Sequence, residues 1–313
     1  GQESEIGECY RVLGYLYSKL NNKNDSMKYY QEALKYDEQD HECMIEYASF
    51  LEPYDPNLAL TYYEKALGVM DKLNKSTEEM EEKIQIHPEI YNNIGILRMK
   101  KRLFKEAEEA FAKALSIMDD PALKNSHDVK YRALKINIEF NMGILMDELA
   151  KLGEATETFK RIIAENPFYF DAYMRLSFLA YRRGALVRAL EYCDMALDKI
   201  TVLSKATGNS GLMYKVTDPL CMKGFILCTM GDESKALSVL AKVKQQYQLD
   251  DNYTKLFQAT IEYGISQRFR DKALEQKRYL KNMIECSKHV LYNDEHNYYA
   301  SLLSAVALAE TGR

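Results

Sequence analysis

Residues 87–115 read HPEIYNNIGILRMKKRLFKEAEEAFAKAL. Two short amphipathic runs lie side by side in this stretch. The first places Tyr91, Ile94 and Gly95 three to four residues apart, and the second does the same with Ala107, Phe111 and Ala114. A spacing of three to four is the period of one helix face. Lys100-Lys101-Arg102 separates the runs as a solvated turn, and Pro88 after His87 marks the first helical position. The reading is a helical hairpin. Gly95 allows the close approach of its two helices, and Phe111 fills the space beside them.

The same pattern recurs along the chain with a period of about 34 residues, which is the tetratricopeptide (TPR) signature. We place copies at about 7–40, 41–71, 88–121, 136–169, 170–203, 217–249 and 250–294, with a partial copy at 298–313. The first carries Tyr10, Leu13, Gly14 and Tyr17, then Tyr30 and Ala33, with Ser26 where alanine is usual. The second is one residue short between Ala48 and Ala59, at the Pro53/Pro56 turn. The expected fold is therefore all-α: a TPR solenoid, a right-handed superhelix of about seven and a half hairpins in one array. Each hairpin buries its apolar face against its neighbours. Three stretches interrupt the period. The Lys/Glu-rich 72–87 is expected to lengthen a helix, 119–128 to connect, and 204–216 (SKATGNSGLMYKV) to form a mobile loop. A basic insert at Arg268-Phe269-Arg270 stretches the seventh copy. Helical periodicity near Lys130 predicts an early start for the fourth. The polar opening GQESEIGE and the stop within a repeat lead us to expect a piece of a longer protein.

Composition agrees with helices and narrows the chemistry. Of 313 residues, 14 are Gly and 6 Pro, too few for a loop-rich β sandwich. The net charge of −5 speaks against a nucleic-acid protein working through bulk positive charge. No apolar run approaches the ~18 residues of a membrane span. Cys9, Cys43, Cys193, Cys221, Cys228 and Cys286 form no C-x-x-C and point to a reducing compartment. Phosphate-loop, HExxH and GxSxG motifs are absent. His41, His87, His127, His289 and His296 fall on different repeats, and His87, before Pro88, reads as a cap or a turn residue. We expect no catalytic residue, no metal and no cofactor.

Three segments narrow the family: 87–115, then FKRIIAENPFYFDAYMRLSFLAYRRGALVRALEYCDMAL (159–197), then FRDKALEQKRYLKNMIECSKHVLYNDEHNYYASLLSAVALAETG (269–312). In order and spacing they resemble the TPR scaffold subunit of the RNA polymerase II-associated factor (PAF) complex. The last is the most specific, with its charged insert RDKALEQKRYL, long second helix and N-D-x-x-N-x-Y-A exit. The sequence departs from that family at Ala305, where glycine is usual, and in 204–216. The resemblance implies a nuclear, non-catalytic scaffold of transcription elongation and cotranscriptional histone modification. Its partners would be other PAF subunits and RNA polymerase II, with no small-molecule substrate, no sequence-specific nucleic acid and no membrane.

In a TPR the second, fifth, ninth, twelfth and thirteenth residues of each first helix face the concave groove. They predict a partner groove of Asn92, Ile96 and Met99; Phe140, Ile144 and Asp147; Met174, Phe178 and Tyr181; and Cys221, Phe225 and Cys228. Such a groove is apolar and aromatic and suits a hydrophobic segment. The alternative for each position is packing against the next repeat, and for Cys221 and Cys228 a place among core hydrophobes. A co-chaperone adaptor, which needs Lys, Asn and Arg clamping a carboxylate, finds only Asn141 and Arg175 here. The recruitment arm of a transferase would need chemistry outside these residues.

Overall fold

A computed structural model describes residues 2–76, 84–119, 129–209, 212, 215–247, 252–295 and 297–311. Among them the regular structure is helical throughout. The helices are α1 (Gln2–Lys19), α2 (Lys23–Tyr36), α3 (His41–Leu51), α4 (Pro56–Ser76), α5 (Pro88–Lys100), α6 (Phe104–Met118), α7 (Val129–Glu148), α8 (Leu152–Glu165), α9 (Phe170–Arg182), α10 (Leu186–Thr207), α11 (Thr217–Met230), α12 (Glu233–Tyr247), α13 (Asn252–Arg268), α14 (Ala273–Asn293) and α15 (Tyr298–Glu310). This is a TPR solenoid of paired helices. Two compact units divide it, Gly1–Ala155 and Thr156–Arg313.

The turn between paired helices explains the register. Asn21, Arg102, Ala150, Gly184 and Gly231 all have positive φ, at 55°, 61°, 58°, 74° and 92°. Each is the fifteenth residue of a copy, counted from 7, 88, 136, 170 and 217. The next amide reaches back into the first helix every time: Asn22 N to Tyr17 O (3.0 Å), Leu103 to Arg98 (2.9 Å), Lys151 to Met146 (2.8 Å), Ala185 to Ala180 (2.9 Å) and Asp232 to Leu227 (2.9 Å). This left-handed stop satisfies the last carbonyls and reverses the chain. The second copy turns without such a residue: Tyr54 and Asp55 both donate to Leu51 O. Its missing residue accounts for the difference. Asp55 then caps α4 by accepting from Leu58 N at 3.0 Å.

In the first unit, small residues set the helix spacing and aromatic ones fill it. A Cβ on Gly95 would lie 2.6 Å from Phe111 Cε1, and one on Gly14 would lie 2.9 Å from Tyr30 Cδ1. Ser26, buried where alanine is usual, donates to Gly14 O at 2.9 Å, so its hydroxyl is satisfied inside the hairpin. Tyr30, Tyr47, Tyr63 and Phe111 are all fully buried. Each contributes on the order of 2 kcal/mol through the area it removes from water. Arg98 of α5 joins the preceding hairpin through Glu64 at 3.0 Å.

The second unit is built alike. Ile200, Leu220, Ile261 and Ile265 form one core cluster, and Leu280, Met283 and Ala307 belong to another. Ser177 donates to Ala189 O at 2.9 Å as Ser26 does to Gly14 O. Arg268 at the end of α13 donates to Cys228 O at 2.8 Å and pairs with Glu233 at 2.5 Å. It thereby satisfies a carbonyl at the end of α11.

The interruptions resolve unevenly. Helix α4 continues to Ser76 and residues 84–87 are not helical, while Glu78–Lys83 lies outside the described residues. Helix α7 starts early, at Val129, and the connector lies outside the described residues from 120 to 128. Of 204–216, the portion through Thr207 belongs to α10, which Gly208 ends with φ 64°. Residues 210–211 and 213–214, together with His127, His296 and Gly312, lie outside the described residues. Of the basic insert, Arg268 ends α13 and Phe269 and Arg270 lie in the turn to α14, and the extra length of that copy lies in the helices.

Candidate functional site

Within the first unit, α5 and α7 carry six of the expected groove residues. Asn92 is buried and belongs to a row of polar side chains. Asn141 Nδ2 donates to Asn92 Oδ1 at 2.9 Å, Asn92 Nδ2 to Asn93 Oδ1 at 3.3 Å, and Asn93 Nδ2 to the Tyr63 hydroxyl at 3.1 Å. Tyr63 in turn donates to Glu52 Oε1 at 2.6 Å. Burial raises the Tyr63 proton affinity, so its hydroxyl stays a donor. Asn141, the amide a carboxylate clamp would use, is engaged in this row. Ile96 and Met99 are half-buried against the cluster around Phe111 and Ile138. Phe140 and Ile144 are half-buried, and Asp147 is buried.

The same unit holds a cleft of about 590 Å³ on the first helices of the first three copies, α1, α3 and α5. Tyr15, Lys19, Glu46, Phe50, Tyr54 and Asn93 are among its lining residues. Concave positions of the copies starting at 7 and 41 supply part of its lining, while Glu46, Phe50 and Tyr54 stand one position further on. Tyr15 and Lys19 are the ninth and thirteenth residues of the first, and Ile45 and Ser49 the fifth and ninth of the second. The expected groove begins at Asn92 of the third copy and so does not include them. The cleft also departs from the expected apolar character, since Glu46 and Glu89 face it.

Glu46 is the electrostatic centre of the cleft. Burial raises its proton affinity above the usual carboxylate range, and Arg11 acts against that shift. Arg11 stands 3.7 Å from Glu46 and binds Glu42 much more closely. Exposed rings line the same cleft. Lys19 Nζ lies 4.9 Å above the Tyr15 ring, and Lys23 Nζ lies 4.5 Å above Tyr54.

In the second unit, α9 and α11 carry the other six. Phe178 is 42% exposed, with the Arg182 guanidinium 5.7 Å above its ring. Tyr181 and Phe225 meet across the two helices, ring centroids 5.2 Å apart. Met174 is half-buried beside them in sequence. Cys221 and Cys228 correct the groove: both are buried in the core cluster with Leu220 and Ile261. The Cys228 thiol contacts Ile261 O at 3.9 Å, and burial raises its proton affinity. Helix α11 is apolar on most of its circumference, so position within the repeat alone could not separate its inner face from its outer one.

None of the six cysteines is in a disulfide. Among the described residues no group of three or more His, Cys, Asp or Glu side chains could hold a metal ion. No described helix is long and apolar enough to cross a membrane. His87 caps α5, its Nδ1 accepting from Glu89 N at 3.4 Å.

Residues 8–40 and 88–118 match one tetratricopeptide repeat family, and 142–201 match another. Among curated proteins the chain is similar to Protein CTR9 homolog of Arabidopsis thaliana, 24% identical over 335 aligned positions covering 98% of this chain and 29% of that protein. It is also similar to RNA polymerase-associated protein CTR9 of Caenorhabditis elegans, 28% identical over 182 positions covering 53% of this chain and 15% of that protein. The chain thus spans less than a third of the length of these relatives. Two solved structures share the fold alone. PilW, a type IV pilus biogenesis factor, superposes with a TM-score of 0.56 at 19% identity, covering 79% of this chain and 96% of that one. PilF of Pseudomonas aeruginosa gives 0.50 at 19% identity, covering 80% and 96%. The chain carries TPR repeats and resembles the CTR9 subunit of the PAF complex, as segments 87–115, 159–197 and 269–312 implied.

Proposed function

We propose that this chain is a non-catalytic scaffold segment that helps assemble the PAF complex on RNA polymerase II, in the nucleus, for elongation and cotranscriptional histone modification. The likeness to CTR9 over 98% of the chain carries the reading. The fold supplies a physical basis for it. Paired helices present first-helix side chains on a rigid surface, and a preformed surface lowers the ordering cost of binding an extended segment. The expected contact residues are those exposed or half-buried on first helices: Ile96, Met99, Phe140, Ile144, Met174, Phe178, Tyr181 and Phe225. Asn92 and Asp147 shape the surface from beneath.

Tagged protein incubated in nuclear extract tests this. Recovery of PAF subunits with RNA polymerase II supports the scaffold. Recovery of chaperones alone would replace it with the co-chaperone adaptor, and recovery of neither would remove it. Phe178→Glu should weaken the recovery while leaving the helical circular-dichroism signal intact, because that ring is already partly in water.

A further inference from the structure

The cleft on α1, α3 and α5 holds a carboxylate, Glu46, in an aromatic frame, and its cation Arg11 stands 3.7 Å away and is shared with Glu42. Its charged and titratable lining is Glu46 and Glu89 against Lys19 and His87, with Glu52 behind Tyr63 at its edge. Lys19 lies over Tyr15, and Arg11 is held by Glu42, so neither neutralises Glu46 closely. The half-buried Glu46 carboxylate has given up part of its water without a short ion pair in return. The Tyr15 and Tyr54 faces already attract ammonium groups from this chain. Asn93, also in the lining, spends one amide N–H on Tyr63 and keeps the second for a carbonyl.

We propose that this cleft binds an extended polypeptide segment bearing a lysine or arginine flanked by apolar side chains. The cation pairs with Glu46, the flanking side chains lie on Tyr15, Phe50 and Tyr54, and the segment's main chain accepts from Asn93. An anionic segment is disfavoured, because its carboxylate would face Glu46 and Glu89. This deepens the scaffold reading and rests on it for the view that first-helix surfaces take polypeptide. It assigns a chemistry to a surface on the first three copies, lined by none of the expected groove residues.

A phage-displayed library of random 12-residue peptides, selected on the purified chain, supplies the probe. The consensus peptide is then synthesised with fluorescein and titrated by fluorescence anisotropy. The expected consensus holds one Lys or Arg between apolar residues. Glu46→Gln should raise its Kd about tenfold, the size expected of a partly desolvated ion pair. Replacing the peptide's cation by norleucine should weaken binding to the unaltered protein equally, and should have little further effect on Glu46→Gln. That peptide arm needs no altered protein to fold. A consensus lacking a basic residue, equal binding of the norleucine peptide, or no selected peptide overturns the proposal. Recovery of PAF subunits alongside such a result would leave the scaffold reading standing. A basic consensus without PAF recovery would sink only that reading.

Discussion

Gly95→Leu isolates the close helix approach on which each hairpin depends. A Cβ at this position would stand 2.6 Å from Phe111 Cε1 and 2.8 Å from Cδ1 and Cζ. All three distances are below ordinary contact, so either α5 or the ring must move. Phe111 cannot yield easily: it is fully buried among Ala107, Ala114, Met118, Ile138 and Leu145. Overpacking of this kind costs about 1–3 kcal/mol. Alanine in place of helical glycine returns about 1 kcal/mol of propensity, so Gly95→Ala should lose about 1 kcal/mol net. Leucine adds three more carbons to the same space and should lose about 3 kcal/mol, the top of that range. Gly68 supplies the control. It lies in α4 with no atom within 4 Å of a built Cβ, so Gly68→Ala should gain up to about 1 kcal/mol. Urea titrations followed by circular dichroism would rank the variants. Amide hydrogen exchange would locate the loss, which should fall first on α5 and α6 because repeat stability is nearest-neighbour in character. Wild-type urea resistance and exchange in Gly95→Leu would refute the assigned register.

Ala150 takes the left-handed conformation that costs a non-glycine residue about 1–2 kcal/mol. Ala150→Gly should therefore stabilise the protein by about 1 kcal/mol in urea titration, and a loss would show that the alanine methyl makes a contact worth more than the strain. Glu262 is buried, accepts from Asn282 at 3.4 Å, and has an Oε2 without a hydrogen-bond partner. Burial raises its proton affinity, while Asn282, Gln258 and Arg278 oppose the shift. The folded state then holds the proton to higher pH than the unfolded chain, whose value is about 4.3. Its stabilising share is complete below that value and disappears as pH rises through the folded one. Glu262→Gln should flatten this decline and exceed wild type at pH 8; parallel curves would remove the assignment. Burial pushes the Cys43 thiol up to about 12 and Cys193 to about 11, whereas Cys9 is exposed. A thiol reagent at pH 8 should modify Cys9 alone until denaturant is added, and rapid reaction of a second cysteine would show that a core cluster opens.

The hairpins were legible because their constraints are local and steric. Gly95 must be small where Phe111 crosses it, and the fifteenth residue must turn left-handed, so both recur at fixed offsets in residue type or position. Arg102 and Ala150 show the limit of that reading. Neither announces a left-handed turn by its type, and only the repeat offset places them. The groove was less legible, because facing a concave surface imposes burial only in part. Position five holds Asn92 in the third copy and Cys221 in the sixth, and the surroundings send them to different fates. Both are buried, Asn92 among the amides of Asn93 and Asn141 and Cys221 among Leu220 and Ile261. Residue type offered a hint there, since a small apolar thiol costs little to bury and an amide does not.

One geometric rule thus yields surfaces of different chemistry along the same fold. Around Phe178 and Phe225 the first helices present rings and few unpaired charges; around Glu46 they present a carboxylate between tyrosines. Hairpin packing depends on glycine, alanine and serine at the crossings and on rings between helices; of those rings Tyr30 and Tyr63 also line the cleft, whereas Glu46 and Lys19 belong to no core cluster. Glu46→Gln removes the charge that acts on Tyr30 but no atom of the crossing between Gly14 and the Tyr30 ring, and Gly14 can fail without altering the charge of the cleft. That separation is why the binding and stability experiments above should divide cleanly. A cleft substitution that unfolded the hairpins, or a crossing substitution that redirected peptide choice without loss of structure, would mean that the two sets of residues are coupled after all.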